Sequence, residues 1–236
     1  MLEEKYIVYK KLPKNYRVKE VGSGVNGVCY QVDKKTIYKE FSTSPDLETL
    51  RKLSKIKSNY FVFPSTFIYF NSKKDENLLG YLMRYVNGFF ITEPIGSMNI
   101  VECIDNVDGI ENEMKRFSIE HNLLVHDIHD KNMLFGEDGS ISIIDTDSYE
   151  FDYYNESYDV YKHNIKELAN TILYMLLREN DFKDDSISNY YNQAILYGRC
   201  KPSYVLYDAL AQVERETREK ITTFDEFTQG LKLIKK

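Results

Sequence analysis

One stretch of the sequence decides the fold, and it reads Val125-His126-Asp127-Ile128-His129-Asp130-Lys131-Asn132-Met133-Leu134. It places an acidic side chain, Asp127, five positions before an amide side chain, Asn132 (132 − 127). Thirteen residues later (145 − 132), the apolar run Ile141 to Ile144 ends in Asp145-Thr146-Asp147. A loop and a strand end therefore present Asp and Asn oxygens, which are ligands that Mg²⁺ accepts. A capping or turn role is the alternative for each of these side chains.

The chain before this stretch has a strand-rich character. Alternating apolar residues predict a hairpin over 17–41, and two further apolar runs, Phe67–Phe70 and Leu78–Val86, predict a second antiparallel pair. Between them, Leu47, Leu50, Leu53 and Ile56 recur at a spacing of three, which predicts a helix over Pro45–Lys57. The first third is therefore expected to be a small antiparallel sheet with one helix.

The rest of the chain has a mainly helical character. Apolar residues recur on successive turns from about Met98 to Asn122, immediately before the deciding stretch. One strand pair is predicted over Met133–Asp145. Further helical patterns follow near 161–178, 187–197, 203–218 and 223–235. The whole chain is thus predicted to be α+β.

Composition limits the class of protein. The 236 residues are 42% hydrophobic and 29% charged, which allows one large domain or two small lobes around a sizeable core. The net charge of −6 argues against a dedicated nucleic-acid binder. The apolar runs are far shorter than the roughly 20 residues of a membrane span, and the first residues lack the apolar core of a signal peptide, so a cytoplasmic protein without a membrane partner is expected.

A glycine motif lies in the predicted hairpin, where Gly22, Gly24 and Gly27 form the pattern GxGxxG. In a dinucleotide-binding turn the third glycine should enter a helix, but here it enters β-branched alternation. That context favours a hairpin whose backbone amides can approach phosphate oxygens, because no side chain stands between them. An ordinary glycine-containing hairpin is the alternative.

Five features follow one another in a fixed order, namely the glycine hairpin, a strand lysine (Lys39), a helix glutamate (Glu48), the Asp127–Asn132 loop and the strand-borne Asp145. In this joint order the sequence resembles the protein kinase-like superfamily, over roughly residues 17–235. The resemblance implies a single two-lobed kinase-like domain, with an N-lobe over about 1–87 and a C-lobe over about 88–236. It also implies that ATP and Mg²⁺ are bound between the lobes.

The resemblance implies a role for each of these residues. Lys39 would reach the α- and β-phosphates, and Glu48 would pair with Lys39. Asp127 would accept or orient the substrate hydroxyl, and Asn132 and Asp145 would bind Mg²⁺. An exposed lysine on an edge strand is the alternative for Lys39. Asp147 stands where the family usually has glycine, and it either contributes to the metal site or caps a turn.

The resemblance also implies a nucleotide pocket. The phosphates would lie against Gly22, Gly24 and Gly27. Met83 would begin the connector between the lobes, and Arg84, Tyr85 and Val86 would offer backbone groups to adenine. The base would be sandwiched by four apolar side chains, with ordinary core packing as the alternative for each: Val28, Ile37, Leu134 and Ile144.

The acceptor is less well defined than the fold. A protein Ser or Thr is the preferred acceptor, but His129 stands where Ser/Thr protein kinases usually have lysine, a difference shared with many small-molecule kinases of the aminoglycoside or choline type. The segment after Asp145 is short, acidic and rich in tyrosine, and it would either present charge to a basic substrate or form a solvated loop with its aromatics turned inward. A nucleotide-binding pseudokinase that serves as an interaction module is a further alternative.

Overall fold

The computed structural model describes residues 4–90, 96–177, 182 and 185–235. The chain forms two compact units, unit 1 over Met1–Val86 and unit 2 over Asn87–Lys236. The division expected from the sequence lay one residue later. Position 178, at the end of one predicted helix, lies outside the described residues. Within the described residues, no helix combines the length and the apolar character that crossing a membrane requires.

Unit 1 is built on one sheet of six strands: β1 (Tyr6–Tyr9), β2 (Glu20–Gly24), β3 (Gly27–Gln31), β4 (Thr36–Phe41), β5 (Thr66–Phe70) and β6 (Leu78–Arg84). Their spatial order is β1-β5-β6-β4-β3-β2. All neighbours are antiparallel except β1, which pairs parallel to β5 with Tyr6 opposite Phe67. The prediction of a purely antiparallel sheet is therefore wrong, because a sixth strand adds a parallel edge.

The helix of unit 1, α1 (Leu47–Leu53), is shorter than the predicted Pro45–Lys57. Asp46 caps its start, since the Oδ1 atom accepts hydrogen bonds from the backbone N–H groups of Glu48 (3.0 Å) and Thr49 (3.3 Å). At the other end, the Ser54 hydroxyl donates to the Arg51 carbonyl at 2.9 Å. The helix thus ends at a competing side-chain hydrogen bond, although the apolar spacing continues to Ile56.

Unit 2 contains five helices in the part that the structure describes: α2 (Ile100–His121), α3 (Ser157–Leu177), α4 (Asp185–Tyr197), α5 (Pro202–Thr217) and α6 (Phe224–Ile234). Five short strands accompany them: β7 (Phe89–Phe90), β8 (Leu123–Leu124), β9 (Met133–Phe135), β10 (Ile141–Ile143) and β11 (Glu150–Phe151). The strands form two small sheets, β10-β9-β7 and β11-β8. The predicted α+β class is confirmed.

Unit 2 helix boundaries follow from local capping. The Asn99 side chain accepts from the Glu102 N–H at 3.1 Å and starts α2, which ends at Asn122 in the left-handed conformation. Helix α3 begins at Ser157, earlier than the sequence predicts, and only eleven residues separate it from Asp145 (156 − 145). The segment after Asp145 is therefore even shorter than the sequence indicated.

Candidate functional site

The hairpin β9–β10 brings two of the predicted residues to one end of a small sheet. Met133 lies opposite Ile143 in its antiparallel register. The ladder continues by one step, because the Ile144 N–H donates to the Asn132 carbonyl at 2.9 Å. Asp145 follows Ile144 directly, so Asn132 and Asp145 lie at the same end of the hairpin. Two predicted metal ligands that are thirteen residues apart in sequence are thus neighbours in the sheet.

The side chain of Asn132 ties the loop together. Asn132 is buried, and its amide nitrogen donates to the Asp127 carbonyl at 2.9 Å and to Asp127 Oδ2 at 3.3 Å. Asp127 has a φ of 59°, in the left-handed region that Asp tolerates better than most residues. Because the Asn132 nitrogen is used by Asp127, its Oδ1 atom is the group that can bind a cation.

Tyr149, in the segment after Asp145, is affected electrostatically by both Asp127 and Asp145. Its side chain is buried, and burial raises the pKa of its hydroxyl well above the usual value, with further raising by the negative charges of Asp127 and Asp145. Both carboxylates therefore lie near one buried phenol. Asp145 is itself exposed and left-handed, with a φ of 57°. Sequence reasoning counted Tyr149 only as part of a tyrosine-rich segment and missed that its buried hydroxyl is affected by the charges of both aspartates.

His129 lies beside Asp127. Its Nδ1 atom accepts from the Lys131 N–H at 3.1 Å, so in the neutral ring the proton is on Nε2. Nε2 lies 3.4 Å from Asp127 Oδ1. The structure therefore brings His129 to the carboxylate that the sequence assigned to the substrate hydroxyl.

His126 packs against the segment after Asp145. Its Nε2 atom lies 3.4 Å from Glu150 Oε1, and its ring contacts those of Tyr153 and His163 at centroid distances of 6.2 and 5.7 Å. Tyr153 is nonetheless 58% exposed, as is much of Tyr158. The prediction that the aromatics of this segment turn inward holds for Tyr149 and fails for these two residues.

A buried asparagine on α3, Asn164, holds the backbone that leads into the loop of Asp127. Its Oδ1 atom accepts from the Val125 N–H at 2.8 Å, and its Nδ2 atom donates to the Leu123 carbonyl at 3.0 Å. Two turns further along α3, the Thr171 hydroxyl donates to the Ile128 carbonyl at 2.5 Å. Sequence reasoning missed this anchor. The signal was a polar residue on the apolar face of a helix, four positions from the buried Val160 (164 − 160).

In unit 1, Lys39 lies in the interior of the sheet. Strand β4 pairs with both β3 and β6, and Lys39 stands between Cys29 and Tyr81. The Lys39 residue is only 4% exposed. The alternative of an exposed lysine on an edge strand is therefore wrong. Lysine is rarely so buried, because removing its charge from water is costly.

Glu48 contacts another lysine. Its side chain is 79% exposed, and its carboxylate lies 2.9 Å from Lys52 Nζ, one helical turn away. Glu48 stands in the first turn of the short helix α1, on its solvent side. The pairing of Glu48 with Lys39 stays a prediction.

The three glycines of the hairpin differ in what surrounds them. A Cβ atom on Gly27 would lie 2.1 Å from the Glu40 carbonyl oxygen, so β4 requires glycine there. A Cβ atom on Gly22 or Gly24 would meet nothing within 4 Å, and neither glycine has a positive φ. Packing and backbone conformation therefore account for Gly27 alone. Gly22 and Gly24 pair with Cys29 and Gly27 on β3, and neither steric crowding nor a positive φ explains why these two positions are glycine.

The residues predicted to surround adenine are divided between the units. In unit 1, Ile37 is buried, and Val28, Met83 and Val86 are half-buried, while in unit 2 both Leu134 and Ile144 are half-buried. In the predicted connector, one backbone donor and one side chain already have partners. The Tyr85 N–H donates to the Lys35 carbonyl at 2.7 Å, and the Arg84 side chain donates to the Asn59 carbonyl at 2.5 Å.

The predicted metal ligands form a small donor set. Within the described residues, no group of three or more His, Cys, Asp or Glu side chains could hold a metal ion. Asn132, Asp145 and the half-buried Asp147 contribute one amide and two carboxylates. Mg²⁺ is usually bound in this way, by one or two carboxylates together with substrate phosphates.

No protein-family model matches the chain, and a search of curated proteins finds no match either.

Proposed function

We propose that this protein is an ATP-dependent phosphotransferase that moves the γ-phosphate to a hydroxyl group, with a protein serine or threonine as the acceptor. The observation that carries the proposal is the hydrogen-bonded end of the β9–β10 hairpin. There Asn132 donates to Asp127, and Ile144 donates to Asn132 and brings Asp145 alongside. Phosphoryl transfer needs a group that accepts the proton of the substrate hydroxyl, together with oxygen ligands for a metal.

The donor set fits Mg²⁺. The amide nitrogen of Asn132 is used within the loop, which leaves Oδ1 for a cation, and Asp145 is an exposed carboxylate at the same hairpin end. A bound Mg²⁺ ion would neutralise negative charge on the triphosphate. Asn132 and Asp145 would hold the metal, and Asp147 lies close enough in sequence to act as a further ligand.

The other residues of unit 2 act on the acceptor. Asp127 would accept a hydrogen bond from the incoming hydroxyl through its carboxylate, which is half-exposed. The Nε2–H group of His129 faces the same carboxylate and would help to orient it. The buried Asn164 fixes the backbone before the loop, so the position of Asp127 depends on α3.

Unit 1 would supply the groups that hold the phosphates. Lys39 is a buried lysine on an interior strand, and Gly22 and Gly24 place no side chain over the backbone of the edge strand β2. Backbone N–H groups without intervening side chains are suited to phosphate oxygens.

A small hydroxyl-bearing molecule is the second candidate acceptor. The segment between Asp145 and α3 has eleven residues (156 − 145), which offers little backbone for docking an extended peptide. It carries Glu150, Asp152 and Glu156 and no basic residue, so a cationic acceptor of the aminoglycoside or choline type suits its charge.

The test is incubation of the purified protein with Mg²⁺ and γ-labelled ATP, alone, with generic protein acceptors, and with a panel of aminoglycosides and choline. Asp127→Asn should lower turnover by about 10²–10⁴-fold, because it removes the base. Asp130→Asn, in the same loop, is the matched control and should keep its activity. Label on protein supports the first acceptor, and label only on a small molecule supports the second.

A second arm addresses the metal. Asp145→Ala should abolish Mg²⁺-dependent turnover, and Asp147→Ala shows whether Asp147 contributes. Unchanged turnover in Asp145→Ala would remove Asp145 from the site. Nucleotide binding without transfer to any acceptor would contradict the phosphotransferase proposal and favour an interaction module.

A further inference from the structure

Unit 1 contains a second feature suited to phosphate, a cavity of about 350 Å³. Its walls come from the start of β1, the end of α1, the connection from Ile56 to Ser65, and the last residue of β6. None of the residues assigned above to the glycine hairpin or to Lys39 lines it. The size is at the lower end of the range of about 300–1,000 Å³ for small-molecule sites.

The lining is strongly cationic. Of its eleven residues, all in the described part of the chain, four are basic and none is acidic. The basic residues come from three separate segments of the chain: Lys5, Lys55, Lys57 and Arg84. A concave surface with one sign of charge raises the local concentration of ions of the opposite sign.

Three acids of unit 1 contact cations that do not line the cavity. Glu4, beside Lys5, contacts Arg51 Nε at 2.8 Å and Lys73 Nζ at 3.0 Å. Asp75 also contacts Arg51, and Glu48 contacts Lys52. These carboxylates are therefore committed to cations outside the lining.

A helix C-terminus offers a simpler account of part of this charge. Lysines after the last turn of a helix are favoured by its dipole, and Lys55 and Lys57 follow α1 directly. Lys5 immediately precedes β1 and Arg84 ends β6, however, and the dipole of α1 does not explain their presence. The dipole of α1 therefore does not explain why basic residues from three segments of the chain line the same cavity.

The walls are held in place by hydrogen bonds. The Ser58 hydroxyl accepts from the Phe61 N–H at 2.6 Å, and the Ser65 hydroxyl donates to the Leu82 carbonyl at 2.8 Å. The Arg84 side chain donates to the Asn59 carbonyl, which holds the guanidinium at the edge of the cavity. Phe61 and Phe63 stack with centroids 5.9 Å apart and an interplanar angle of 11°. Hydrogen bonds and aromatic stacking therefore stabilise the connection from Ile56 to Ser65 that forms much of the cavity wall.

We infer that this cavity binds a small phosphate-bearing molecule away from Lys39 and the glycine hairpin, the groups proposed to hold the nucleotide phosphates. Arg84 takes part through its side chain, whereas only its backbone is a predicted adenine contact. Lys5, Lys55, Lys57 and Arg84 contact its phosphate groups, and Arg84 offers the planar guanidinium that pairs with two phosphate oxygens at once. Ile56, Phe63 and Pro64 supply apolar lining for the rest of the ligand.

The experiment is calorimetric titration of the full chain with sodium pyrophosphate. Lys55→Gln/Lys57→Gln should weaken binding at least about tenfold, because it removes two of the four charges that pair with phosphate. Lys34→Gln/Lys35→Gln, in the turn between β3 and β4 and outside the lining, is the matched control and should bind as the wild type does. Lys39→Met should also retain binding, which separates this cavity from the proposed nucleotide site.

Three results would overturn the inference. They are no measurable pyrophosphate binding, equal weakening in both lysine pairs, and loss of binding in Lys39→Met with retention in Lys55→Gln/Lys57→Gln. Amide resonances of Phe61 and Ser65 in the wild type should shift on titration, which tests the location without any substitution. Nucleotide binding by Lys55→Gln/Lys57→Gln should be unchanged, so this inference and the proposed function can fail independently.

Discussion

Within the described residues, each unit buries one formally charged side chain, Lys39 in unit 1 and Glu111 in unit 2. Glu111, on α2, accepts hydrogen bonds from the N–H (2.6 Å) and the hydroxyl (2.7 Å) of Ser203 at the start of α5, and Lys201 Nζ lies 3.4 Å away. It caps a neighbouring helix and has a structural role. Lys39 lies on an interior strand next to the glycine hairpin, and the role proposed for it is to bind phosphate. A buried charged residue alone therefore does not identify a functional site, because Glu111 is buried in a structural role.

The two units also differ in overall charge. Unit 1 has sixteen basic and nine acidic residues, a formal charge of +7 (16 − 9), whereas unit 2 has fifteen basic and twenty-eight acidic residues, a formal charge of −13 (15 − 28). The whole-chain value of −6 conceals this contrast. A phosphate-binding unit and a metal-binding unit would each benefit from the sign that it carries.

The largest effect on stability is expected from the buried acid. Burial raises the pKa of Glu111 to about 7, against the hydrogen bonds from Ser203 and the charge of Lys201, which lower it. The folded state thus holds a proton that the unfolded chain loses above its usual pKa of 4.5. The contribution of Glu111 is full below pH 4.5 and falls by about 3 kcal/mol as the pH rises to about 7.

The measurement is urea unfolding of the wild type and of Glu111→Gln at pH 4.5, 6 and 8. The difference in free energy of unfolding between the two proteins should shift in favour of Glu111→Gln as the pH rises, and stay constant above pH 8. If the difference in free energy of unfolding did not change with pH, Glu111 would already be ionised at pH 4.5. Both units would then bury an ionised side chain, and the contrast between Glu111 and Lys39 would be lost.

The glycine hairpin gives the next effect. Gly27→Ala should destabilise unit 1 by about 1–3 kcal/mol, because its Cβ atom would collide with the Glu40 carbonyl oxygen. Gly24→Ala has open space around it and should leave the free energy of unfolding nearly unchanged while weakening nucleotide binding. Thermal unfolding and nucleotide titration separate the two. Equal destabilisation by both substitutions would mean that Gly24 is also a structural glycine.

Much of the fold could be predicted from the sequence, because periodicity is a local signal. Strands β2 to β6 and the helices of unit 2 lie close to their predicted positions. Strand β1 was missed, since its partner β5 begins some sixty residues later (66 − 6) and the apolar run Tyr6–Tyr9 shows no alternation. The two-residue strands were missed because they are shorter than any periodic pattern.

The candidate site was only partly predictable, for a related reason. The spacing of Asp127 and Asn132 identified a loop, and their hydrogen bond is local in sequence. The electrostatic effect of the two aspartates on Tyr149 and the hydrogen bonds of Asn164 depend on how the segment after Asp145 and α3 pack on that loop. Such contacts between distant segments leave no spacing in the sequence to recognise.

The smallest effect on stability concerns Glu48, and it bears directly on the contrast between buried and exposed charge. Its ion pair with Lys52 is largely exposed, so Glu48→Gln should change the free energy of unfolding by no more than about 0.5 kcal/mol. If nucleotide binding draws Glu48 to Lys39, as the kinase-like resemblance implies, the same substitution should lower turnover by about tenfold or more. Lys52→Gln removes the observed ion pair without touching the proposed one and is the matched control. Turnover that falls equally in both variants would show that the Glu48–Lys52 pair itself matters, and unchanged turnover in Glu48→Gln would leave Lys39 to bind phosphate without help from α1.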